Sequence, residues 1–485
     1  MSLRPFCRAK SYIPQALHRA AQTQKRSRKV SQTIVNLRTN LRFDPKVDDR
    51  RIVTSPIFWL GWRNKLIESQ HYKWVLVALL VLIGALNYAD RSVFTAVFPL
   101  LRKDLKMSDL GLAGIGAMFL WSYALTSPFA GIAGDRRSRR LVILWCLTAW
   151  SLVMVASSFV ADGKQLLCMR FLLGVSEAFY LPAAAALISE FHDFRTRAFA
   201  IAVHVSGLSL GMVAGGTYGG YVGEVYGWRP AILGLGVTGL ALAMVCRVLI
   251  VERSQPINPL SSNETKLPPV AFSIWQAILN VLRVPLFIII ITQSMLVSII
   301  VWVFSHWLPL YFSERFQMNL GGAGFAGTGA MSFGAMVGVL GGGLLSDRVA
   351  RRGVPYRLVL QGVMYFAAIP FLLLFVGTTH FRLMAFALVA FSVIRAVGQA
   401  NEVPILCDNL PSHSWSTALG LLNTANCLAA GLGIFMSGYL KARIGLNGIF
   451  YCSPLILFLA GLTLFAGYGI MSKNIGRSIA KMKQT

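Results

Sequence analysis

Between Met169 and Ala184 the chain reads MRFLLGVSEAFYLPAA, an apolar stretch that carries Arg170 and Glu177. Seven residues is almost two helical turns, so both charges project from one face of a helix. A charge near a bilayer centre costs roughly 2.5–3.5 kcal/mol on insertion scales. A helix with two of them on one stripe must turn that stripe toward other helices or toward water. The device recurs: Arg395 and Glu402 are also seven apart in an apolar segment, and Pro182 and Pro404 follow the acids. Upstream, Asp90 lies roughly 24 Å along its own apolar segment at 1.5 Å per residue, and Arg91 points about 100° away from it. One of the two can face a partner in the Glu177 segment while the other faces a cavity.

The chemistry of these groups is ion handling. A buried carboxyl must be protonated or paired, which makes Asp90 and Glu177 candidate proton-coupling sites. The competing reading is a static bridge holding two helices together. Arg170 and Arg395 offer planar forks suited to a carboxylate or a phosphate. With Arg91 they give the interior a cationic bias that favours an anionic solute; a gate near the outer end is the other role open to Arg170. His204, Gln293, His306, Asn423 and Asn426 are further polar residues in apolar segments, where interhelical hydrogen bonding competes with a cavity role. Gln293, Asn423 and Asn426 are candidate substrate contacts, and the last two, three apart, share a helix face.

The elements that must position these residues are membrane helices. Of 485 residues 55% are hydrophobic and 13% charged, against about a quarter charged in soluble proteins. Twelve apolar segments are each long enough to cross a ~30 Å core: 74–100, 110–133, 141–161, 165–190, 197–222, 229–251, 284–312, 321–346, 357–378, 382–407, 414–440 and 447–472. The expected organisation is a basic, disordered tail over 1–73, a six-helix bundle over 74–251, a proline-containing cytoplasmic linker over 252–283, a second bundle over 284–472 and a cytoplasmic tail over 473–485. The first tail also has the composition of an organellar transit peptide or of a mis-assigned start.

The net charge of +27 does not indicate nucleic acid, because the cations fall in the tails and in short loops of one side. That pattern predicts both termini in the cytoplasm. The seven cysteines form no CxxC pair and read as packing residues. No GxxxxGK[ST] loop, nucleophile–base set or metal-ligand cluster occurs, so no enzyme, metal or cofactor is expected.

Two loops repeat. GIAGDRRSRR runs from Gly131 to Arg140 and GLLSDRVARR from Gly343 to Arg352, with the two Asp residues 212 positions apart. Matching loops and matching buried charges imply a duplicated, all-α membrane architecture, two six-helix pseudo-repeat bundles. From about Trp74 to Met471 the chain resembles the major facilitator superfamily. Its signature loop is matched by Gly131, Asp135, Arg136, Arg139 and Arg140, with Ser138 in place of the usual second Gly and Ala350 at that place in the second copy.

Within the superfamily the first half resembles the anion:cation symporters, carriers of sugar acids and related anions, through NYADR (Asn87 to Arg91), Tyr123, Arg170 and Glu177. That resemblance implies proton sites at Asp90 and Glu177, and anion contacts at Arg91, Tyr88 and Tyr123. It also implies gating by Gly131, Asp135, Arg136 and Arg140 and by Gly343, Asp347, Arg348 and Arg352; an Asp in such a loop can cap a helix N-terminus. Spinster-type lipid carriers share a similar acid–arginine pair and helix-4 Arg and Glu. The glycines of the fifth segment, Gly211, Gly215, Gly219 and Gly220, partly match an antiporter pattern and equally suit close helix packing.

The expectation is a monomeric secondary transporter in a cell membrane that moves a small organic anion, a sugar acid or similar carboxylate, with protons. An exporter of amphipathic compounds, a lysophospholipid carrier and a non-transporting membrane sensor are the alternatives. An organellar envelope is the alternative membrane.

Overall fold

A computed structural model describes residues 71–482 apart from 137, 194–195, 253–273, 354 and 412–413. Side chains are described for these except 131–136, 198, 274–275, 277, 416 and 473–482. Most of the first tail and of the expected linker therefore lie outside the described residues.

Twelve helices among the described residues are long and apolar enough to cross a membrane. They are α1 (Tyr72–Ala96), α2 (Asp109–Arg136), α3 (Arg139–Ser157), α4 (Gly163–Phe191), α5 (Arg197–Tyr226), α6 (Trp228–Leu249), α7 (Pro285–Phe316), α8 (Leu320–Ala350), α9 (Pro355–Gly377), α10 (Phe381–Asn409), α11 (Trp415–Tyr451) and α12 (Ser453–Met482). Short helices also form at Phe98–Asp104 and at Ile274–Leu282, the latter inside the stretch expected to be linker. The expected gap between the last two segments, 441–446, holds a break in the backbone. The α11 backbone breaks at Gly445, whose φ of 66° suits a residue without a side chain, and helix resumes to Tyr451. Large apolar side chains such as Trp145, Phe159, Leu344 and Met244 are exposed, as lipid-facing residues must be.

The helices form two six-helix halves that meet along two seams, α2 against α11 and α5 against α8. Glycine makes the second seam possible. A Cβ on Gly220 would collide with the Leu320 carbonyl, and one on Gly324 with the Gly216 carbonyl. The other face of α5 uses the same device within its own half. A Cβ on Gly211 or Gly215 would strike the Ala85 or Ala89 backbone of α1. Close packing thus accounts for the glycine-rich stripe of α5.

Both charged helices are broken. α4 divides into Gly163–Glu177 and Tyr180–Phe191, and α10 into Phe381–Gln399 and Glu402–Asn409. The prolines supply the cause. Pro182 and Pro404 cannot donate to the carbonyls four residues back, at Ala178 and Ala400, and their rings crowd those groups. The breaks fall at these positions, so each acid sits at an interruption: Glu177 ends one half-helix and Glu402 begins another.

Candidate functional site

In the N-terminal half the site is built around Arg91. Its Nη2 lies 3.0 Å from Glu177 Oε2, its Nε donates to the same oxygen at 3.1 Å, and Nη2 also donates to Asn87 Oδ1 at 3.1 Å. Aromatic rings enclose the guanidinium: Tyr88 at 4.4 Å, Phe119 at 4.7 Å and Tyr123 at 5.2 Å from its carbon to the ring centres. These rings screen the pair from water and add cation–π attraction. Arg170, one helix away, donates from Nε to the Ile115 carbonyl at 3.0 Å and lies over Phe94 and Phe119. Its Nη1 has no partner among the described residues.

Asp90 is 1% exposed. Among the described residues it forms no ion pair, and its Oδ1 has no hydrogen-bond partner. The expected division of labour, one residue toward Glu177 and the other toward a cavity, is therefore altered. Arg91 does both, because its long stem spans from Glu177 to the cavity wall, whereas the short Asp90 stays within the helical packing.

The C-terminal half repeats the acid but not its partner. Glu402 accepts a hydrogen bond from Ser294 Oγ at 2.5 Å and pairs with no cation among the described residues. Arg395, seven residues before it, donates to Gln399 instead, and its Nε is unpartnered. Gln293 is fully buried inside this half. Gln361 and Tyr365 donate to its Oε1 at 3.3 and 3.2 Å.

Two cavities lie between the halves. One, about 30 Å³, is lined by Arg91, Phe94, Phe119, Arg170, Met212, Trp302, Ser305 and His306. The other, about 230 Å³, is lined by Tyr88, Ser209, Met212, Val301, Trp302, Ser305, Met331, Ser332, Ala335 and Arg395. They share Met212, Trp302 and Ser305. Tyr88, Arg91, Arg170 and Arg395 thus converge on one region between the halves, with Tyr123 behind Arg91.

Gln293, Asn423 and Asn426 do not join them. Gln293 is turned into its own half by Gln361 and Tyr365. Asn423 is exposed, and Asn426 is half-buried with an unpartnered Oδ1. Three residues leave side chains about 60° apart on a helix, enough to separate these two. At Asn426 the helix meets α7, where Ser298 donates to its carbonyl.

Trp302 was not singled out from sequence. The 212-residue offset between the two repeated Asp residues carries Asp90 onto Trp302, and that internal alignment is the signal that finds it. His204 packs against Tyr180 in the first half with neither ring nitrogen bonded.

One side of the molecule is tied across the halves. Arg102 pairs with Asp109 and, at 3.0 Å, with Glu314. Lys441 reaches Asp109 at 3.0 Å and Glu314 at 3.7 Å. Below this cluster His306 packs edge-on against Phe98 and fits over Gly116, and Glu224 accepts from the Leu320 amide at 3.0 Å.

On the opposite side, where the repeated loops lie, the ion pairs among described residues stay within one half: Arg139 with Glu190, and Arg357 with Asp408 and Asp347. The repeated acids do not start helices. Asp135 lies in the last turn of α2 and Asp347 in that of α8. The cap of α3 is Ser138, the residue replacing the usual Gly, whose Oγ accepts from Leu141 N. The side chains of Gly131, Asp135 and Arg136 lie outside the described ones. Arg140 donates to the Ile250 carbonyl at 2.6 Å. Gly343 is within α8, while Arg348 and Arg352 are exposed.

A sequence profile described as the Major Facilitator Superfamily matches residues 80–375, and the chain belongs to that family. It is therefore a multi-pass integral membrane protein of a transporter family rather than an enzyme. It is 30% identical over 284 residues to an MFS-type efflux pump of Mycolicibacterium smegmatis, covering 58% of this chain and 63% of that protein. It is 24% identical over 408 residues to a probable galactarate/D-glucarate transporter of Escherichia coli K12, covering 78% and 90%. The fold matches a crystal structure of a bacterial homologue of the human lysosomal transporter Spinster, in an inward-facing and unoccupied conformation. The TM-score is 0.73 at 18% identity, over 84% of this chain and 98% of that one.

Proposed function

We propose that the protein is a proton-coupled carrier of a small organic anion, a sugar acid or similar carboxylate, working by alternating access between its two halves. The observation that carries this reading is the double engagement of Arg91, bonded to Glu177 and lining the cavity. An anion arriving in the cavity competes for the guanidinium, and Glu177, losing its counter-charge, takes a proton. Solute and proton then enter together. Asp90, buried without an ion pair, is the second proton acceptor of this half. Arg170 and Arg395 hold the anion from the two sides, and Tyr88 and Tyr123 fix the plane of Arg91. The cation-rich side bearing the repeated loops is assigned to the cytoplasm. The cross-half ion cluster then closes the outer side of an inward-facing state, and the repeated loops gate the other. A cell membrane is the assigned location and a monomer the assigned form.

The sugar-acid class is supported by the likeness to the galactarate/D-glucarate transporter. A second reading has its own support, because Met212, Val301, Trp302 and Met331 give the larger cavity an apolar wall. That wall suits an amphipathic anion such as a lysophospholipid.

Uptake of radiolabelled D-glucarate into proteoliposomes tests both readings. Accumulation driven by an inward proton gradient is expected. It should be abolished in Asp90→Asn while exchange persists, and exchange too should be lost in Arg91→Ala. Accumulation that ignores the gradient overturns the coupling. Transport of a lysophospholipid but not of D-glucarate moves the assignment to the second reading.

A further inference from the structure

The buried acid of the C-terminal half has no part in the mechanism above. We infer that Glu402, with Ser294 and the Gln293–Gln361–Tyr365 chain behind it, is a second proton-binding site that loads and unloads during the cycle.

The argument starts from what each neighbour can do. Glu402 is 5% exposed, too buried for water to solvate either state freely. The Arg91 that holds Glu177 is a donor only, so it favours the ionised carboxylate and offers no acceptor for the proton of a carboxylic acid. Glu402 has a different set of neighbours. A serine hydroxyl both donates and accepts. Ser294 can therefore donate to a carboxylate, or turn and accept from a carboxylic acid, without leaving a polar atom stranded.

The next neighbours share this property. Gln293 takes hydrogen bonds from Gln361 and Tyr365 on its Oε1 and sets its Nε2, which has no partner within hydrogen-bond geometry, beside the Glu402 carboxyl. Gln361 donates to Tyr365 at 2.9 Å and leaves its own Oε1 unpartnered. A donor turned toward the acid and an open acceptor at Gln361, both buried, give the chain room to rearrange when a proton arrives. A network built only for rigidity leaves few such groups open.

The charged and titratable groups around the site are few. On α10 itself Arg395 is engaged by Gln399, and Asp408 at the far end of the same half-helix is paired with Arg357 of α9. Tyr365 of α9 is the other titratable neighbour. From α7 only the neutral Ser294 and Gln293 face the acid. No ion pair among the described residues fixes Glu402 in one charge state, and the break before Pro404 gives its half-helix freedom to move relative to Phe381–Gln399.

This inference rests on the chain being a proton-coupled carrier, so the test has one arm that does not depend on transport. Infrared difference spectra of the full-length protein in lipid, recorded through a pH titration, read the C=O stretch of protonated carboxyls. A pH-dependent component beside that of Asp90 is expected in the wild type and in Glu177→Gln, and that component is absent in Glu402→Gln. Ser294→Ala keeps the component and shifts its frequency, a readout that holds even if Glu402→Gln does not fold. A Glu402→Gln spectrum that loses no component relative to wild type, or an unshifted component in Ser294→Ala, overturns the site. In the second arm a pH-sensitive dye gives protons moved per D-glucarate in proteoliposomes, and Glu402→Gln is expected to move one fewer than wild type. An equal ratio overturns the cycling role. Wild-type vesicles that take up no D-glucarate refute the sugar-acid reading, while the spectroscopic arm still decides whether Glu402 binds protons.

Discussion

The two halves carry the same acid seven residues after the same arginine, and they treat it in opposite ways. Glu177 closes a half-helix at its C-terminal end, where the helix dipole opposes a negative charge, and a bonded arginine compensates it. Glu402 opens a half-helix at its N-terminal end, where the dipole favours negative charge, and its partner is a hydroxyl. The duplication kept the residue and the break, while the position of the break relative to the acid moved. The partner comes from the corresponding helix of each half but differs in kind: α1 supplies Arg91 to the first acid, and α7 supplies Ser294 to the second. On the mechanism proposed above, the arginine-held acid responds to an anion, and the hydroxyl-held acid is free to respond to protons alone.

The sharpest way to break this contrast is to remove the arginines one at a time. Arg91→Ala leaves Glu177 buried and uncompensated and should cost about 3–5 kcal/mol, seen as a large fall in thermal unfolding midpoint. Adding Glu177→Gln should restore much of it. Arg395→Ala breaks a bond to a neutral amide and should cost no more than about half as much. Equal losses would erase the distinction between the halves.

Packing separates them next. Gly211→Ala strikes α1 within the first half, and Gly220→Ala strikes α8 across the seam. Each is expected to cost about 1–3 kcal/mol as overpacking. Only Gly220→Ala should also raise the labelling rate of a cysteine placed at Ser305, by prising the halves apart. A smaller shift is expected from the cross-half cluster. Its members are 28–44% exposed except Lys441 at 9%, so Lys441→Met should bias the open–closed balance by about 0.2–1 kcal/mol. The same labelling assay reads it, and added salt should mimic the mutation.

The smallest expected effect concerns how each half pins its outer corner. The first half uses an acid: Asp104 accepts from Trp228 Nε1 at 2.9 Å and from Arg229. These hydrogen bonds, Trp228's foremost, hold the Asp104 carboxyl below its usual range. The second half uses Arg315, which donates to the Thr378 carbonyl at 3.1 Å and to Asn447 at 2.8 Å. A depressed carboxyl adds stability above the ordinary carboxylate range and loses it as pH falls through the folded value. Acid below the ordinary carboxylate range should therefore loosen the first corner and spare the second. Trp228 fluorescence should change with acid in the wild type and be insensitive in Asp104→Asn.

Twelve spans, two halves and the paired loops were legible in the residues themselves, because hydrophobic length and internal repetition survive without knowledge of any contact. So was the small set of buried ions, since a charge inside twenty apolar residues stands out wherever its helix is placed. Partnership was not legible. A period of 3.6 residues says which side chains share a face but not which neighbour that face meets, so Arg91 rather than Asp90 as the partner of Glu177 depended on how α1 is rotated against α4. The same ambiguity hid Gln293, which faces α9 and α10 rather than the cavity, and separated Asn423 from Asn426. Helix rotation and the angle set by each proline break are properties of packing between segments far apart in the chain, and only the tertiary structure decided them.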